Sequence, residues 1–295
     1  MTNTSRTGGT VQITLLVTAV ALAVGEGRAS PAKPAPPPYT GPIAFPGQYA
    51  LPMPAHRFPA CWKGCQRIED AAQRLACAQF VLEDWPRLDR YAAANAALAP
   101  PKPGEKRVVF MGDSITDLWS QPGRGGFFPG KPYINRGISG QTSGQMLVRF
   151  RADVVALKPR AVVILAGTND IAGNNGPANP EAIQNDLASM AELARANGIR
   201  VVLASVLPVS DERVGAHAPP LPTEERPPAA IRALNQWLAA YARRNGQVFL
   251  DYYAALADPS GKLKAGLHED GLHPNAAGYA IMLPLAEKAI AEALR

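Results

Sequence analysis

Residues 108–119 read VVFMGDSITDLW, and the chain changes character midway through them. Positions 108–111 are apolar without alternation, as in a strand covered on both faces. Gly112-Asp113-Ser114 then interrupts the run, and a helix-like pattern follows. A helix that starts directly behind a strand aims its free N–H groups at the rim of the sheet. A hydroxyl held there can attack a bound group if a base accepts its proton. By itself a serine after a strand is more often a helix cap, so its meaning depends on the rest of the chain.

Downstream of Arg107, strand-like and helix-like segments alternate. The strand candidates are 108–111, 133–135, 161–166, 200–205 and 248–251, and helical patterns cover 144–156, 180–197, 228–245 and 275–294. Short apolar strands separated by helices predict a parallel sheet with helices on both faces, an α/β fold of three layers. Ligands bind such sheets at the carboxyl ends of the strands. Ser114 sits at one of those ends.

A base is available near the other end of the chain. Asp270-Gly271-Leu272-His273-Pro274 carries an acid three residues before a histidine, just ahead of the last helical pattern. Asp270 can hold one ring nitrogen of His273 and leave the other free to take a proton, which makes Ser114, Asp270 and His273 a hydrolytic triad. The protein has 4 histidines. His56 falls in a Pro-rich stretch and His217 in a Pro-rich loop, while His268 has no acid at that spacing and is expected at the rim. Oxyanion donors are expected from the Ser114 N–H, from Gly137 in NRGISG, and from the Asn169 side chain in GTND. Asp113 and Asp117 are expected to brace the turn. A metal-dependent phosphoesterase built on Asp113, Asp117, Asn169 and His273 is one competing reading, and a carbohydrate-binding module without catalysis is another.

Taken in order, GDSIT, NRGISG, GTND and DGLHP resemble the four sequence blocks of the SGNH hydrolases, also called the GDSL esterase/lipase family. The resemblance runs from Arg107 to the C-terminus. It implies a flavodoxin-like α/β/α fold with a central five-stranded parallel sheet, and acyl-ester hydrolysis with no cofactor. Residue by residue, it implies Ser114 as nucleophile and backbone donor, Gly137 and Asn169 as further donors, His273 as base and Asp270 as its orienter. The chain has Ile115 where the family's short name has Leu. The G-x-S-x-G elbow of the α/β-hydrolases is missing. The stretches INRGISGQTSGQMLVRF and GTNDIAGN look like the lysophospholipase and platelet-activating-factor acetylhydrolase-like branch. Exported enzymes of this type act on lysophospholipids, simple lipid esters or acetylated carbohydrates, and the polar 208–228 loop favours short acyl chains.

The remaining sequence bounds the setting. Hydrophobic residues make up 47% and charged residues 18% of 295, enough for a sizeable core. The formal charge of +6 is scattered, with no run of basic residues interleaved with aromatics, which argues against nucleic acid as a partner. Residues 1–29 have the layout of a bacterial secretory signal: Arg6, an apolar run shorter than the roughly 20 residues of a membrane span, then small residues. Export to the periplasm or outside is expected, with no membrane anchor once the signal is removed and no cysteine near the cleavage zone to carry lipid. A Pro-rich linker follows over 30–60, a helical segment over 61–104, and the hydrolase domain over 105–295. Cys61, Cys65 and Cys77 lie close together without a histidine to complete a zinc set, so no metal is expected. In an oxidising compartment, Cys77 is expected to bridge to Cys61 or Cys65 across a helical hairpin. The expected partner is a small-molecule ester, and no motif sets the oligomeric state.

Overall fold

The computed structural model describes residues 62–177, 179–212 and 222–295, all within the unit Pro52–Arg295. The expected leader and linker, residues 1–60, lie outside the described residues, as do Cys61 and residues 213–221 of the polar loop. Three helices come first: α1 (Trp62–Gln66), α2 (Ala71–Glu83) and α3 (Asp89–Ala97). The α/β body follows as β1 (Val108–Gly112), α4 (Ser114–Trp119), β2 (Tyr133–Gly137), α5 (Ser143–Asp153), β3 (Ala161–Leu165), α6 (Thr168–Ile171) and α7 (Pro180–Ala196). It continues with β4 (Arg200–Ala204), α8 (Pro222–Glu225), α9 (Pro228–Arg244), β5 (Val248–Leu250), α10 (Tyr252–Leu256) and α11 (Ala276–Ala293).

All five expected strands form. They pair in parallel in the order β2-β1-β3-β4-β5, the doubly wound arrangement whose switch point lies between β1 and β3. Every strand keeps its expected start and ends one or two residues away from its expected end: β1 gains Gly112, and β3 and β4 each stop one residue early. The second strand runs on to Gly137, and the fifth stops at Leu250 because the Asp251 side chain accepts the Ala254 N–H and starts α10.

Side chains alternate across a strand, so one strand feeds two helical layers. Val109 and Met111 of β1 pack with Phe150 of α5, Leu187 of α7 and Leu238 of α9. Val108 and Phe110 pack on the other face with Trp119 of α4 and with Tyr279 and Met282 of α11. The N-terminal helices are joined to each other by a disulfide between Cys65 and Cys77, which resolves the expected bridge in favour of Cys65. Phe80 and Val81 of α2 are buried, while Leu75 and Leu82 remain exposed. Arg107 ties the joint before β1 to the body by donating to the carbonyls of Leu157 and Ala99.

Polar groups beneath the sheet rim hold the turn after β1. The Gly112 carbonyl accepts from the Ile138 N–H at 3.0 Å and from the Arg149 guanidinium at 3.0 Å. Arg149 is fully buried and also donates to Gln141 and to Asp153 one helical turn away. Asp113 is buried as well, and its carboxylate accepts the Ile115 N–H, capping α4. Burial dominates its titration and pushes the carboxyl up to about 6, against the pull of the Ile115 N–H and of His273 and Arg226.

Removing Arg149 would leave Asp153 Oδ2 and the second lone pair of the Gly112 carbonyl without their donor. Arg149→Met is therefore expected to cost about 3–5 kcal/mol, read as a lower urea midpoint. Asp113 carries a second expectation with a definite sign. Its raised carboxyl favours the folded state below its unfolded pKa, and that contribution disappears as pH rises through about 6. Asp113→Asn keeps the cap acceptor without ionising. The stability of the variant relative to the unsubstituted protein should rise by about 2–3 kcal/mol as pH goes from about 4 to above 7 and then level off, as measured by urea unfolding at fixed pH values.

Candidate active site

Ser114, the first residue of α4, stands at the carboxyl end of β1 with a neighbouring strand on each side. His273 reaches it from the turn ahead of α11. The His273 Nε2 lies 2.9 Å from the Ser114 Oγ, across 159 positions of sequence. The other ring nitrogen, Nδ1, lies 2.6 Å from Asp270 Oδ2. Asp270 Oδ1 accepts the backbone N–H groups of Leu272 and His273, which fixes the carboxylate. Partial burial works to raise the Asp270 pKa, but its hydrogen bonds and the charge of His273 outweigh this and hold it well below the usual carboxylate range. With Nδ1 donating to a carboxylate that stays ionised, Nε2 is left as the acceptor for the Ser114 proton.

Loop 267–275 owes its shape to a residue that the sequence reading placed elsewhere. His268 is not at the rim: it is 2% exposed, and its Nδ1 accepts the Gly271 N–H at 2.9 Å. Its Nε2 meets no partner among the described residues, so the histidine braces the turn from within the loop. The Gly271 carbonyl accepts the Ser210 N–H, which closes the loop against the segment after β4.

The expected oxyanion donors are placed differently from one another. Asn169 is buried in the cleft wall; its Nδ2 donates to the Gln141 carbonyl and keeps a second hydrogen. Its Oδ1 faces the Arg226 guanidinium at 3.5 Å, which orients the amide. Gly137 is not a cleft residue. Its N–H is taken by the Asn135 side chain at 2.8 Å, and a Cβ there would come within 2.2 Å of the Asp117 backbone nitrogen. The glycine at 137 is thus required by the close approach of β2 to α4. Three residues on, Gly140 does line the cleft, and its N–H meets no protein acceptor among the described residues. The Ser114 N–H is likewise unengaged among them. Sequence spacing cannot separate the two glycines of NRGISG, since both follow the strand and both are small.

Asp113 and Asp117 are braces. Asp113 caps α4, while Asp117 Oδ2 accepts from both the N–H and the Oγ of Ser139 and so ties α4 to the loop after β2. The cleft measures about 440 Å³ and is lined by Ser114, Asn169, Gly140, Leu118, Leu272 and His273 among others, with cationic side chains from α1 and Arg226. Those from α1 had no signal in the sequence, because nothing in a short helix ahead of the body says where it will dock.

A family model described as the GDSL-like Lipase/Acylhydrolase family matches residues 110–281. Among solved structures, a protein from Bacteroides fragilis assigned as an acylhydrolase superposes with a TM-score of 0.66 at 45% identity, covering 72% of this chain and 99% of that one. Esterase TesA of Pseudomonas aeruginosa is 33% identical over 141 residues, 48% of this chain and 60% of TesA, so the match spans less than two thirds of that relative. The lipoprotein YqeF of Bacillus subtilis, itself uncharacterized, is 32% identical over 79 residues, 26% of this chain and 32% of YqeF. With more than half its length under the family model and the five-stranded sheet in place, the chain belongs to the GDSL-like lipase/acylhydrolase family.

Proposed function

We propose that the protein is an exported serine hydrolase that cleaves acyl esters through an acyl-enzyme. The observation that supports this most is the 2.9 Å contact between Ser114 Oγ and His273 Nε2, backed by the 2.6 Å contact to Asp270. His273 takes the Ser114 proton as the oxygen bonds to the ester carbonyl carbon. The tetrahedral oxyanion is held by the Ser114 N–H, the Asn169 amide and the Gly140 N–H, the last in place of Gly137. His273 then passes its proton to the departing alkoxide as the C–O bond breaks. Water repeats the sequence on the acyl-serine, giving the acid and restoring Ser114.

An open cleft with Ser139, Asn174, Lys63 and Arg67 in its wall supports short-acyl or lysophospholipid-like esters over long-chain fats. The same polar lining supports a second reading, removal of acetyl groups from a carbohydrate, by the same steps. Export is supported by the secretory layout of residues 1–29, by the relative that is a lipoprotein, and by the Cys65–Cys77 disulfide, a bond of oxidising compartments.

Ser114→Ala should lose both ester turnover and covalent labelling by a fluorophosphonate probe, followed by mass spectrometry of the intact protein. Asn169→Ala should remain folded by circular dichroism and lose about 10²–10³ in kcat, the usual cost of one oxyanion donor, with a smaller change in KM.

A further inference from the structure

Part of one cleft wall lies outside the family match, which starts at residue 110. Lys63 and Gly64 of α1 and Arg67 just beyond it line the cleft together with Glu225 and Arg226. α1 is docked firmly. The Lys63 N–H donates to the Asn174 carbonyl at 3.0 Å, its Nζ donates to the Ala172 carbonyl at 2.7 Å, and the Cys65–Cys77 bridge holds the helix to α2.

Three cations meet one carboxylate in this wall. Lys63 Nζ and Arg67 Nη2 each lie 3.0 Å from Glu225 Oε1, and Arg226 Nη1 lies 3.0 Å from Oε2. Burial works to raise the Glu225 pKa, yet Lys63, Arg226 and Arg67 together lower it, so it remains an anion. One negative charge against three positive leaves an excess of two. That excess is local to this wall: Asp270, an anion elsewhere in the cleft lining, faces His273, and buried Asp113 attracts Arg226 rather than the two outer cations. Lys63 and Arg67 keep side-chain exposures of 29% and 54%, so both remain open to a ligand. Anchoring a helix to Glu225 needs a single cation.

The cluster also touches the reacting centre. Arg226 is 6% exposed, donates from Nε to Thr168 Oγ1 at 3.1 Å, and faces Asn169 Oδ1. Positive charge therefore extends without a break from the oxyanion donor to the mouth of the cleft. Guanidinium and ammonium groups held in a partly dehydrated wall match a carboxylate or phosphate by charge-assisted hydrogen bonds. On the acyl-ester reading given above, we propose that Lys63, Arg67 and Arg226 form an anion subsite, so that the preferred substrate is an ester carrying a carboxylate or phosphate on its acyl or alcohol part.

Two matched pairs of esters test this on the intact protein. 4-Nitrophenyl hemiadipate against 4-nitrophenyl hexanoate places a carboxylate on the acyl side. 4-Acetoxyphenyl phosphate against 4-methoxyphenyl acetate places a phosphate on the alcohol side. At least one anionic ester should exceed its neutral partner by about tenfold in kcat/KM, chiefly through KM, and the advantage should shrink as salt is added. In the double variant Lys63→Gln, Arg67→Gln the charged-to-neutral ratio should fall toward one. Damage to the fold lowers both members of a pair alike, so the ratio stays readable. Equal or poorer turnover of both anionic esters, or a ratio unchanged in the double variant, overturns the anion subsite while leaving ester hydrolysis standing. Failure of all four esters to react, with no phosphonate label on Ser114, overturns the hydrolase reading and the subsite with it.

Discussion

The carbonyl of Gly112 is the point on which the site rests. It ends a strand paired on both sides, so β2 and β3 fix its position. Both of its lone pairs are used, one by the Ile138 N–H and one by Arg149. A buried carbonyl satisfied twice cannot rotate without losing a hydrogen bond it could not replace with water. Everything that follows in the chain inherits this: Asp113 caps α4 on the next residue, and Ser114 comes after it. The rim hydroxyl is thus held by the sheet and not by its own loop. Such rigidity is what a hydroxyl needs if a distant imidazole is to meet it at hydrogen-bond distance.

The second support comes from the N-terminal helices, which are built into the body more deeply than a tethered appendage would be. The Tyr91 hydroxyl of α3 donates to the Gly137 carbonyl, and Asn95 donates to Asp153, the partner of Arg149. Gln141, just ahead of α5, and Gln145 in its first turn donate to the carbonyls of Pro86 and Trp85. These contacts reach the same polar layer that holds Gly112. Helices outside the family match therefore buttress the loop bearing Gly140 from behind, while α1 closes the cleft in front. One layer of buried hydrogen bonds serves both stability and the shape of the site, as expected where every member of a network is satisfied.

Two of the sequence expectations were displaced by packing. Gly137 and His268 each lie in a motif close to chemistry, and each turned out to serve the frame. Gly137 is a glycine because α4 crosses β2 too closely for a side chain, and Asn135 occupies its N–H. His268 is buried as the strut of the loop that carries Asp270 and His273. A residue type that suits catalysis also suits tight packing, and spacing along the chain does not tell the two apart.

That the Ser114 and His273 side chains meet across 159 positions is a product of the fold; the α/β class, the five strands, and Ser114, Asp270 and His273 as candidates could be read before any coordinates. The physical reason is that these depend on local pattern: apolar runs of strand length, the strand–turn–helix around Ser114, and an acid three residues from a histidine. The choice of Gly140 over Gly137, the burial of His268, the pairing of Cys65 with Cys77 and the cationic wall of Lys63, Arg67 and Arg226 were decided only by tertiary structure. Each depends on which surfaces meet across long stretches of chain, and close approach, unlike periodicity, leaves no mark on the residues nearby in sequence.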